Sequence, residues 1–163
     1  MNNSIEIENK YIKKGFDLIN EIGWEKFSLE KLSTKEKIPI NDLKVFFKCK
    51  NSIVDKFSRM IDKKIESKLR IDDFKDSSKK DILFELIMMR FDEMEGYKGS
   101  LVKILDVSKN KPLLISIITK NVMNTMDFFL ELSNSYNNYA FDFLKKNFLF
   151  FIYSITFKTW LSD

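Results

Sequence analysis

The side chains able to do chemistry in this chain are few and unevenly chosen. No histidine occurs among its 163 residues, which removes the usual general base, the commonest zinc ligand and every Ser-His or Cys-His nucleophilic arrangement. The single cysteine, Cys49, has no partner for an internal disulfide. Flanked by Lys48 and Lys50 at the expected start of a helix, its thiol reads either as a redox sensor or, preferably, as an inert surface group. The adjacent carboxylates Asp72 and Asp73 are all that an enzyme reading can use, and no motif surrounds them. No catalytic role, metal or cofactor is therefore expected. Cations remain. Between Lys31 and Lys50 there are six lysines against Glu36 and Asp42. Lys44, Lys48 and Lys50 are either phosphate contacts or the solvated face of a chain whose 28 basic residues include only three arginines, Arg59, Arg70 and Arg90.

The elements that hold these groups are expected to be helical. Hydrophobic residues make up 44% and charged residues 32%, with only four Gly and two Pro, too few turn formers for a sandwich or barrel. Ile12, Phe16 and Ile19, with Leu18 and Ile22, form one stripe of a helix over 10–22 that Gly23 ends. Ser28 caps a short second helix whose buried residues are Leu29 and Leu32 and which stops near Lys37, because Pro39 disfavours helix at the residue before it. A third helix covers 40–47 and a long fourth covers 52–70, with Ile53, Phe57, Met60, Ile61 and Ile65 inward. After the polar stretch DDFKDSS come helices over 80–94, 101–107, 112–132 and 139–161, the last two separated by SNSYNN.

Order and spacing in the first four elements suggest a helix-turn-helix: Gly23-Trp24, Ser28-Leu29, Leu32, Ile38 in the turn, Leu43, then Phe46-Phe47 and Lys50. Read as GWEKFSLEKL and LKVFFKCK, the segment 10–57 resembles the tetracycline-repressor (TetR) family, and the blocks ILFELIMMRFDEM and YSITFKTWLSD look similar to its short alphaproteobacterial regulators. That resemblance implies a three-helix DNA-binding head over residues 1–50 and a helical ligand-binding and dimerising body over 51–163. It also implies DNA contacts from Ser28, Asn41, Lys44, Lys48 and Lys50. The chain departs from the family in having Glu36 and Lys37 where a small residue and Gly are usual, and Lys44 where a phosphate-contacting Tyr is usual. Asp42 would repel phosphates and accept only a cytosine amine at a base edge.

The second half, through ILFELIMMRFDEM and YSITFKTWLSD, is similar also to the lipid-binding family of ubiquinone biosynthesis, which shares the fold without acting as a repressor. The chain ends at Asp163 without the amphipathic C-terminal helix by which those proteins are expected to touch a membrane, so this reading ranks second. Met88, Phe91, Met123, Met126 and Phe129 form an adaptable apolar lining for a hydrophobic ligand, or plain core. With no His and no buried-looking Arg, nothing there is expected to orient a polar ligand. The last helix has Phe141, Leu144, Phe148, Phe151 and Ile155 on one face and Phe143, Phe150, Phe157 and Leu161 on another. A helix apolar on both sides needs two covers, and the second is expected from an identical copy in a homodimer. The apolar run 148–157 is half of a ~20-residue membrane span and is expected to be buried. The polar start, MNNSIEIENK, and the lone cysteine lead to an expectation of the cytosol.

Overall fold

A computed structural model describes residues 2–69, 74, 77–136 and 139–163, and its described regular elements are all helical. In order they are α1 (Asn2–Ile22), α2 (Leu29–Glu36), α3 (Ile40–Phe46), α4 (Ser52–Lys68), α5 (Lys79–Met94), α6 (Lys98–Ser108), α7 (Pro112–Leu132) and α8 (Tyr139–Ser162), with a 3-10 turn over Glu95–Tyr97 before α6. Arg70, the pair Asp72 and Asp73, and the last two residues of the SNSYNN loop lie outside the described residues.

Local chemistry sets most of these boundaries. Gly23 adopts φ 81°, a left-handed conformation that costs glycine nothing, and its N–H still bonds the Ile19 carbonyl at 2.9 Å as α1 ends. Ser28 caps α2 by accepting from the Lys31 amide at 3.2 Å. Ser78 does the same for α5, accepting from Asp81. Two helices begin earlier than their apolar pattern requires. The first starts at Asn2, where residues 2–9 carry the polar lead-in, and the sixth starts at Lys98, which places Gly99 inside it.

Packing divides the chain into two compact units, one of Met1–Met60 with Gly96–Ile118 and the other of Ile61–Glu95 with Thr119–Asp163. The first contains the whole of the expected 1–50 head. It also recruits α6, because α6 packs on α1. The Ser100 hydroxyl donates to the Phe16 carbonyl at 2.6 Å, and the Lys103 amine reaches the carbonyl of Asn20. Phe16 stacks on Phe57 with centroids 4.0 Å apart, and Tyr97 meets both rings edge-on. Gly15 permits the close passage of α4, since a Cβ there would lie 2.1 Å from Ile53 Cδ1.

In the second unit α5 packs on α8, and an aromatic group of Phe91, Tyr153, Phe157 and Trp160 fills the contact. The expectation that the run 148–157 is buried is corrected here. Leu149 and Tyr153 are buried, but Phe148, Phe151, Ile152 and Ile155 are exposed, because one row of a helix can face a single neighbouring layer. Phe143, expected on the covered face, is also exposed. Among the described residues it is α7, not α8, that is long and apolar enough to cross a membrane, with a mean hydropathy of 1.2 over its best window.

Candidate functional site

The surface that gathers most of the singled-out residues is built on α2 and α3, which pack against each other. Three residues join them. Lys37 takes φ 54°, ψ 39° and its N–H returns to the Ser33 carbonyl, ending α2 in a left-handed turn. Ser33 then clamps the connection, accepting from the Ile38 amide at 3.0 Å and donating its hydroxyl to the Ile38 carbonyl at 2.6 Å. Pro39 stands at the head of α3 with φ −53°.

α3 is anchored on one side only. Leu43 and Phe47 are fully buried, and Phe46 lies edge-on to Tyr11 with centroids 5.7 Å apart. Asn41, Asp42, Lys44 and Val45 on α3 and Lys48 just beyond its end are exposed, so the helix and the residues after it present a polar ridge with one valine in it. Lys44 stands close enough to Glu30 to help hold that carboxyl below its usual range, after the stronger effects of Glu30's own amide and the Ser28 hydroxyl. Glu30 stands in the first turn of α2, and Ser28 caps that helix.

Lys50 is turned inward. Its amine donates to the carbonyls of Trp24 at 2.9 Å and Phe27 at 3.2 Å and sits 4.8 Å from the Trp24 ring centroid. Burial, aided by Lys111, holds its pKa below the usual lysine range. Two of its three N–H donors are thus spent inside the protein. Cys49 is exposed with its Sγ 3.5 Å from the Ser52 hydroxyl, which lowers the thiol's pKa against the opposing effect of burial.

Charge follows the packing rather than the sequence order. The first unit carries sixteen basic and ten acidic residues, a net of +6, and the second carries twelve and fourteen, a net of −2. The chain's modest +4 conceals this separation, and the cationic share lies in the unit that displays Asn41, Lys44 and Lys48. No protein-family model, curated protein or solved structure matches the chain. What the ridge does must therefore be argued from its own chemistry.

The second unit holds a polar cluster that sequence reasoning missed. Arg90, 3% exposed, forms an ion pair with Asp62, and its Nε donates to the Tyr153 hydroxyl at 3.0 Å. Thr125 Oγ1 lies 3.0 Å from Asp62 Oδ2 and 3.1 Å from the Asn121 carbonyl. The Asn121 side-chain nitrogen is buried with no hydrogen-bond partner among the described residues. The expectation that no buried Arg exists in the body is thereby corrected: Arg90 lies inside because Asp62 and Tyr153 answer its charge. The available signal was a lone Arg inside the apolar run ILFELIMMRF.

Of the expected ligand lining, Phe91, Met126 and Phe129 are buried, Met123 is half-buried and Met88 is exposed. Met88 thus stands apart from the interior because it falls on the outer face of α5, in line with exposed Phe84. The expected dimer row is exposed throughout, with Phe141, Leu144, Phe148, Phe151 and Ile155 at 61, 60, 67, 61 and 52%.

Proposed function

We propose that this chain is a cytosolic DNA-binding transcriptional regulator of the TetR type, working as a homodimer. In this reading α2 and α3 are the two arms of a helix-turn-helix and α3 enters the major groove. One observation carries it: α3 and the residues just after it bury Leu43 and Phe47 while Asn41 and Lys44 on the helix and Lys48 beyond its end are exposed, in the unit whose net charge is +6. The turn supports the resemblance physically. Lys37 stands where the family has glycine, and it holds the left-handed conformation that glycine adopts most readily. Lys44 and Lys48 contact phosphates and Asn41 faces the bases. Ser28 and Lys50 chiefly hold the turn and α2 in place, with the third Lys50 N–H left for the backbone. The reading assigns no catalytic step.

The test is a mobility shift of the full chain on duplex DNA with salt titration. Lys44→Ala and Lys48→Ala should each weaken binding and each reduce the slope of log K against log salt by about one. Lys50→Ala should also lower the melting temperature, since it removes two internal hydrogen bonds. Unchanged slopes in both exposed-lysine variants would sink the interface. No retention of any duplex at low salt, together with co-purified lipid in native mass spectrometry, would return the chain to the lipid-binding reading.

A further inference from the structure

Val45 is the most exposed large apolar side chain among the described residues, at 78%. It makes no contribution to the core, and a β-branched residue is not favoured on the outside of a helix. The exposed positions beside it on the helix are polar: Asn41 lies one turn earlier on the same face, with Asp42 and Lys44 the other exposed residues of α3 nearby. A single valine ringed by amide and charged groups is too small an apolar patch to anchor another protein or a lipid surface. It is the right size for one methyl group.

The major groove offers one apolar feature, the C5-methyl of thymine. Resting on the DNA-binding reading above, we infer that Val45 is a specificity-determining residue that packs on a thymine methyl. Asn41, one turn away, bonds the N6 and N7 edge of an adenine, so each half-site carries A·T pairs beneath the middle of α3. Lys44 and Lys48 supply charge complementary to the phosphates on either side. Asp42, further round the helix, accepts from a cytosine amine or remains in the solvent of the groove.

Deoxyuridine differs from thymidine by that methyl alone, which makes the inference testable. Binding sites are first selected from a randomised duplex pool with the full chain, and each thymine of the winning site is then replaced singly by deoxyuridine. One position per half-site should weaken wild-type binding about fourfold, the effect of one buried methyl. Val45→Ser, whose folding is checked by circular dichroism, should bind the two duplexes equally. Wild-type binding with a normal salt slope but no sensitivity to any replacement would overturn the Val45 assignment and leave the DNA-binding reading standing. So would a Val45→Ser variant that keeps the same sensitivity. Failure of the wild type to retain any duplex at low salt would overturn both.

Discussion

A guanidinium that is 3% exposed persists only where its charge is answered on the spot, and Arg90 has Asp62 and Tyr153 within reach. The cost falls on Asp62. Burial pushes its carboxyl above the usual range, while Arg90 and the Thr125 hydroxyl pull it back. A carboxyl raised in the folded state contributes stability in acid, below about pH 4, and that contribution is lost as pH rises through the folded value. Thr125→Val removes one of the groups that favour the ionised form, so Asp62 should titrate at higher pH, observable by carbon NMR of its carboxyl. The variant should unfold in urea with a loss of about 2 kcal/mol at pH 7 and a smaller loss in acid. An equal loss at both pH values would mean that Thr125 does not act through the Asp62 charge.

At the scale of the element, the α2–α3 connection shows how a short helix is stopped. α2 has eight residues, a side-chain cap at its start and Lys37 in the left-handed region at its end. A residue with a Cβ pays about 1 kcal/mol or more for that conformation, and glycine pays nothing. Lys37→Gly should therefore raise the stability of the protein by about 0.5–1 kcal/mol in chemical denaturation. A destabilised variant would show that the turn does not need a left-handed residue there. α8 illustrates a different case, an element distinguished by its faces. Leu149 and Tyr153 point inward, and Phe141, Leu144, Phe148, Phe151 and Ile155 recur outward at alternating steps of three and four, the spacing of a coiled-coil seam.

For the whole molecule, the proposed homodimer would place a second copy on that outward seam. A lipid surface is the competing cover: Lys145 and Lys146 beside the seam are already engaged, whereas Lys158, which continues the seam one turn beyond Ile155, is exposed. Lys145 pairs with Asp142 and Lys146 with Asp127, while Asn147, Ser154, Thr156 and Thr159 add no charge beside it. The apolar stretch from Phe141 to Ile155 suits an isologous contact, in which the same patch of both copies meets, residue i against j and j against i. Sedimentation should find a dimer at micromolar concentration and a monomer for Phe148→Glu, with helicity unchanged because Phe148 is 67% exposed. A wild-type monomer would remove the dimer and, with it, the expectation of a palindromic site.

How far the sequence speaks for itself depends on the range of the interaction. Gly23, the Ser28 cap, the stop before Pro39 and the inward row Ile53, Phe57, Ile61 and Ile65 were all legible, because a cap acts within one turn and an apolar stripe repeats every 3.6 residues. The all-α class followed from the same local signals. Lys44 and Lys48 could be marked as cations, yet only packing separated them from Lys50, whose amine turns to carbonyls more than twenty residues away in the chain. Arg90 was unreadable for the same reason, since its partners are 28 and 63 residues distant. The two apolar faces of α8 were visible as a pair, but which one is covered depends on where α5 packs. Tertiary structure likewise moved α6 to the head and concentrated a charge of +6 in one unit, because burial and electrostatics respond to distance in space and the order of residues does not encode it.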